Sequence, residues 1–250
     1  MSASGILLSL LIAGHVLADF AFQTRGMVEG KGRLGWLALH AAVVAVVQAA
    51  VALPFLSFRA IPLMVGLAIV HAAIDRLKAA STRPSGLGPF LADQAAHLVV
   101  LIVVWILWTP MPTWPAPLYP LFEAMVGPWS VVAVLAAAYA FNGHGGAAIV
   151  AAVLDRHRLD EVTDDITEEE RSRGRTIGIL ERVILLTLVI VGQWGALGFV
   201  IAAKSIARFK DLDQRNFSER YLIGTLTSVA VAIASGLAVR GFLGMVGGAG

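Results

Sequence analysis

Apolar residues fill this chain in long blocks separated by short polar stretches. GILLSLLIAG opens the first block, and AAVVAVVQAAVAL, IPLMVGLAIV and LVVLIVVWILW fill the next three. A helix needs roughly 20 apolar residues to cross the hydrocarbon of a bilayer. The blocks predict membrane-spanning helices over about 5–23, 35–54, 61–79, 88–108, 129–153, 178–203 and 221–241. The expected fold class is all-α, a polytopic transmembrane helix bundle of six or seven helices. The count stays open because Gly192-Gln193-Trp194-Gly195 interrupts the sixth block. Segment 178–203 either spans or turns back as a re-entrant hairpin.

Two polar stretches organise the rest. TPMPTWPAPLYP, residues 109–120, holds prolines that forbid a regular helix, with Trp and Tyr suited to the headgroup region. DRHRLDEVTDDITEEERSRGR, residues 155–175, is hydrophilic and reads as a solvated surface helix, or as a surface for a partner or a second copy. The expected domains are a four-helix membrane domain over 1–108, an outer loop over 109–127 and a C-terminal membrane domain over 128–250.

Composition agrees with a membrane protein: 58% of residues are hydrophobic and 14% charged, where soluble domains carry about a quarter charged. No Lys or Arg precedes the first block, and His15 and Asp19 lie inside it, so it reads as a retained helix and not a cleaved signal. The net charge is +2. Its basic residues lie in short loops beside the helices, which indicates topology and not nucleic-acid binding. Arg25, Lys31 and Arg33, then Arg76, Lys78 and Arg83, put the 24–34 and 80–87 loops in the cytoplasm and the N-terminus outside.

The polar residues inside the first four blocks carry the chemistry. His15 and Asp19, His71 and Asp75, and Asp93 and His97 are pairs spaced i,i+4, and His40 joins them from the second block. That spacing puts both side chains of a pair on one helix face, one turn apart. With alternating helix direction all seven groups fall at one level, roughly 6–13 Å below the cytoplasmic edge at about 1.5 Å per residue. An ionised Asp in the middle of an inserted helix costs about 2.5–3.5 kcal/mol. A divalent metal offsets that cost, taking neutral imidazole and ionised carboxylate together. Cysteine is absent, so the ligands would be His and Asp, with zinc the first expectation. Seven candidates exceed the usual four ligands of one zinc, so either two ions share the cage or one ion takes a subset.

The expected ligands are His15, Asp19, His71, Asp75, Asp93 and His97, with Asp19, Asp93 and His40 as catalytic candidates. Gln23, Lys78 and Gln94 are candidates for holding substrate or ligands. Lys31, Lys78 and Arg83 are placed at the rim to meet an anionic headgroup, or to serve as ordinary cytoplasmic charges. A hydrogen-bonded structural network and a proton relay are the competing readings of the cluster. Lys204, Arg208 and Glu219 form a second expected cluster, read as an ion-pair group closing a helix end or as a lipid-phosphate site. His144 and His157 lack such a pattern and are read as outside any site.

The strings HVLADFAFQ, Leu39-His40, HAAIDRLK at 71–78 and FLADQAAHL at 90–98 resemble an uncharacterised bacterial membrane family, domain of unknown function 3307. The resemblance covers roughly residues 5–105 and implies a multi-pass protein of the bacterial cytoplasmic membrane, with no activity attached. The site plan is also similar to that of intramembrane zinc hydrolases such as the alkaline ceramidases, without their HxxxH pair.

Three functions follow from these expectations. The first is a metal-dependent hydrolase acting on a membrane lipid or lipid-like substrate at the cytoplasmic side. The second is a transporter or relay for metal ions or protons. It is disfavoured by outer helix halves in which only Ser9 and Gln48 are polar. The third is a membrane scaffold in which the same residues are structural.

Overall fold

A computed structural model of the chain describes residues 2–58, 60–81, 86–108, 119–156, 168–213 and 215–247. The described residues are helices and their connections, with no strand among them. Helix α1 spans Ala3–Phe20 and starts at Ser2, whose hydroxyl accepts the Gly5 backbone N–H. The short α2, Arg25–Glu29, is capped in the same way by Thr24. Then come α3, Leu34–Val51, and α4, Ile61–Ala79, which carries Pro62 in its first turn where no amide donor is needed. Helix α5 spans Leu87–Trp108. Helix α6, Tyr119–Ala140, passes through a π-helical turn at Phe141–Gly145 into α7, Gly146–Arg156. The remaining helices are α8, Glu168–Ile190, α9, Trp194–Ala207, and α10, Arg215–Gly247.

Five stretches among the described residues are long and apolar enough to cross a bilayer: Ala3–Phe20, Leu34–Val51, Leu87–Trp108, Ala124–Asp155 and Phe217–Gly247. Helix α4 has the length, 19 residues, but carries Asp75, Arg76 and Lys78 close to its end. One expectation changes, and the interruption read at 192–195 is a break between two helices. Residues 119–127, assigned to the outer loop, are helical; Pro120 falls in the first turn, where a proline costs no hydrogen bond. Residues 109–118 lie outside the described residues. Segment 178–203 is not one helix. It stops at Ile190, reverses at Gly192 with φ +78°, and restarts at Trp194. Only glycine takes that backbone region without a Cβ penalty.

The chain forms two compact units, residues 1–84 with 88–140 and 243–250, and residues 85–87 with 141–242. In the first unit α1 packs against α3 and α6, and α3 against α4. Leu7, Leu10, Leu11, Phe55, Leu67 and Trp108 are among its core residues. The indole N–H groups of Trp105, Trp108 and Trp129 donate to the carbonyls of Ser4, Phe55 and Val51, which closes the end of the bundle remote from the His/Asp residues. Halfway along, Gly14 of α1 meets Gln48 of α3, whose buried amide donates to the Leu11 carbonyl at 3.0 Å. A Cβ at Gly14 would fall 2.9 Å from the Gln48 Cδ. The close α1–α3 approach that sets Asp19 beside His40 therefore depends on this glycine.

In the second unit α8 and α9 form a helical hairpin, closed at its open end by Lys204, which donates to Glu181 at 2.5 Å. Leu185, Val189, Leu197 and Ala232 pack between α8, α9 and α10. The buried Arg182 donates to the carbonyls of Asn142 and Gly143 in the π-helical turn.

Gly14→Ala should lower stability by about 1–3 kcal/mol through overpacking, read as a lower thermal midpoint in detergent. Gly66→Ala, where a Cβ meets nothing within 4 Å, should not lower it.

Candidate metal centre

The four histidines expected from the first four blocks meet at one end of the first unit. His15 comes from α1, His40 from α3, His71 from α4 and His97 from α5, and all four are buried. Their rings form one contiguous group: centroids are 4.2 Å apart for His71 and His97, 4.9 Å for His15 and His97, and 5.1 Å for His40 and His71. Asp19 and Asp75 enter the same group. Asp19 Oδ1 lies 3.4 Å from His40 Nε2 and 3.3 Å from His71 Nε2. Asp75 Oδ2 lies 3.3 Å from His40 Nε2 and 3.7 Å from His71 Nε2. The two imidazole nitrogens are themselves 3.0 Å apart.

These five separations can be compared with those of a coordination shell. Four donors at about 2.0–2.1 Å from a tetrahedral ion lie about 3.3–3.4 Å from one another. His40, His71 and Asp19 stand close to the mutual spacing of three ligands of such a shell, and Asp75 Oδ2 lies at a comparable distance from both imidazole nitrogens. The polar atoms facing inward are also unmet. Asp19 Oδ1, Asp75 Oδ2 and His97 Nε2 are buried and make no hydrogen bond. A buried polar atom left unpaired costs about 1–3 kcal/mol, and more if charged. His97 shows why its lone pair points inward. Its Nδ1 donates to the Asp93 backbone carbonyl at 2.9 Å, so the free nitrogen is Nε2. That is the usual arrangement of a metal-ligating imidazole, with its second nitrogen held by a backbone carbonyl. The donor set therefore fits a divalent ion: neutral imidazoles and carboxylates, with unpaired atoms directed at a common space.

The neighbouring residues hold this group in place. Lys31, from the loop after α2, donates to Asp75 Oδ1 at 2.6 Å and leaves Oδ2 to face the histidines. Arg76 donates to the Gly32 carbonyl at 2.6 Å and pins that loop to the end of α4. Lys78 donates to Asp93 Oδ2 at 2.9 Å. Gln94 donates to the same oxygen at 3.2 Å, and its carbonyl lies 3.4 Å from His15 Nε2. Gln23, half-buried, reaches His40 Nε2 at 3.0 Å.

Not every expected ligand converges. Among the described residues, the groups of donors within 4.8 Å of one another are His15–Asp19–His97, Asp19–His40–His71 and His71–Asp75–His97. Asp93 belongs to none of them. Its carboxylate faces Lys78 and Gln94, and its backbone carbonyl does the work at His97. Lys31 and Lys78, expected to meet a headgroup, are each engaged by an aspartate, and Arg83 lies outside the described residues. In the second expected cluster Lys204 finds its carboxylate on α8, at Glu181, and lies 5.4 Å from the Tyr221 ring centroid. Arg208 closes α9 as its C-cap, and Glu219 lies in α10. Arg182 was not singled out as a site residue; an arginine set directly before VILLTLVIV, with FNGHGG elsewhere in the chain, is the signal that would have found it. His144 is exposed, and His157 lies outside the described residues.

The architecture is that of a helical membrane protein with a buried His/Asp cluster at one end of its N-terminal bundle. Residues 6–122 match the model of a family described as a protein of unknown function, DUF3307. The matched segment holds every member of the cluster. No curated protein and no solved structure matches the chain.

The Lys31–Asp75 pair should behave as one unit. Lys31→Met should destabilise the metal-free protein, and Lys31→Met/Asp75→Asn should recover part of the loss. A double-mutant cycle on thermal or denaturant unfolding should give a coupling of about 1–3 kcal/mol. A coupling near zero would remove Lys31 as the counter-charge of Asp75.

Proposed function

We propose that this chain is an integral membrane metal-dependent hydrolase. In this reading the cluster holds a divalent ion, zinc by preference, near the cytoplasmic face of a bacterial inner membrane. The substrate is lipid-like and reaches the site from the bilayer at headgroup depth. The observation that carries the reading is the set of five donor separations among His40, His71, Asp19 and Asp75, between 3.0 and 3.7 Å, with buried oxygens left unpaired among them. Zinc is supported by the donor chemistry, imidazole and carboxylate only, and by the shell-like spacing of His40, His71 and Asp19.

A bound divalent ion polarises a carbonyl or phosphoryl oxygen and lowers the pKa of water toward about 7. The protein's own residues supply the remainder. His40, His71, Asp19 and Asp75 fix the ion. Lys31 holds Asp75 Oδ1 and leaves Oδ2 turned inward. Asp93, outside the converging donors and with a buried unpaired Oδ1, is the carboxylate available to take a proton. Gln23 and Lys78 lie at the rim, where a polar headgroup would meet them.

Transport is the weaker reading for a local reason. The two polar residues in the outer halves of the first four blocks are already used within the bundle. Ser9 donates to the Gly5 carbonyl and Gln48 to the Leu11 carbonyl. A polar path continuing from the cluster would have needed them.

Elemental mass spectrometry on chelator-free, detergent-purified protein should find bound metal in the wild type and little in His71→Ala/Asp75→Ala. Asp93→Asn should keep the metal and lower hydrolysis of a responsive lipid ester or amide by about 10²–10⁴-fold, the range of a general base. A wild type without metal would contradict the reading. A metal-loaded Asp93→Asn of full activity would remove Asp93 from the chemistry.

A further inference from the structure

Building on that metal reading, we infer that the cluster is a two-ion site in which the Asp19 carboxylate bridges the ions. The observation is the way Asp19 divides its two oxygens. Oδ1 faces His40 and His71 at 3.4 and 3.3 Å, while Oδ2 lies 3.9 Å from His15 Nε2. Two of the three donor groups among the described residues divide in the same manner, and the third, His71–Asp75–His97, joins them. His15 and His97 converge with Asp19 in one group, His40 and His71 converge with Asp19 in another, and Asp19 alone is common to both.

The first ion would sit among His40, His71, Asp75 Oδ2 and Asp19 Oδ1. His15 and His97 are not among those donors, and each converges with Asp19. Both are buried, and their rings stack at 4.9 Å. His97 Nε2 has its lone pair free and no hydrogen-bond partner. His15 makes only a long 3.4 Å contact with Gln94 through the nitrogen that would bind. A second ion held by His15, His97 and Asp19 Oδ2 satisfies all three. It keeps a position open for substrate, and a shared carboxylate is suited to ions about 3.5–4 Å apart.

Charge sets the order of filling. Asp19, Asp75 and Asp93 bring three negative charges, and Lys31 and Lys78 return two positive ones. The first ion meets a net negative site and the second a positive one, so the second binds more weakly. Protein purified without added metal should therefore hold fewer ions than protein equilibrated with micromolar free zinc.

The test uses the full chain in detergent, dialysed against buffered free zinc, with metal per protein read by elemental mass spectrometry. Wild type should reach two equivalents. His15→Ala/His97→Ala should hold one, and Asp19→Ala should lose more than one. Loading wild type with manganese gives a readout that needs no variant: electron paramagnetic resonance should show an exchange-coupled pair, and isolated manganese signals in His15→Ala/His97→Ala. A wild type saturating at one equivalent with isolated manganese signals would overturn the bridge and leave the metal reading intact. A wild type that takes up no metal would overturn both.

Discussion

An ionised carboxylate held among apolar helices has to meet positive charge, and three of them share one layer of the N-terminal bundle. The side chains of Asp19, Asp75 and Asp93 are 7%, 0% and 5% exposed. Two of them have a fixed cation, Lys31 on Asp75 and Lys78 on Asp93. Asp19 has none: among the described residues its ionic neighbours are His15, His40 and His71. Neutral imidazoles cannot balance it. Either a proton is shared among the rings or a metal ion sits between them. The unpaired Oδ1 of Asp19 and Nε2 of His97 favour the metal, because a proton shared in this group would leave one or both of them without a partner.

The rest of the first unit can be understood as the frame for that charge. Gly14 lets α1 approach α3, which sets Asp19 near His40, and the Gln48–Leu11 hydrogen bond fixes the pair of helices. The loop after α2 is drawn onto α4 by Arg76 and Lys31, so that one short polar segment both closes the bundle end and aims Asp75. The tryptophan hydrogen bonds lie at the opposite end of the unit, on Ser4, Val51 and Phe55. The two ends are thus built differently: an indole-pinned apolar end and a charged, histidine-lined one.

The helices and the membership of the cluster were legible because both follow from periodicity. The lengths of the apolar blocks gave α1, α3, α4 and α5 to within three residues at each end. The i,i+4 pairs indicated which side chains share a face. Spacing alone does not say which atom of a side chain enters the cluster. Asp93 and Asp75 look alike in sequence, yet Asp75 turns one oxygen inward while Asp93 gives its backbone carbonyl to His97 and its carboxylate to Lys78. That outcome depends on helix rotation and on where each lysine can reach. The partner of Lys204 was missed for a similar reason: the turn at Gly192 brings Glu181 to it, and the turn is set by one backbone dihedral. The role of Arg182 depends on the π-helical turn, whose two acceptor carbonyls no hydropathy pattern marks.

The claim on which the account stands is that a metal ion occupies the space between these imidazoles and carboxylates. X-ray absorption at the zinc edge of the loaded, detergent-purified protein tests it most directly. The account predicts a first shell of nitrogen and oxygen at about 2.0–2.1 Å, with the outer-shell scattering of several imidazole rings. That imidazole scattering should fall in His40→Ala/His71→Ala. A spectrum of fully hydrated zinc, or one unchanged by removing both histidines, would contradict it.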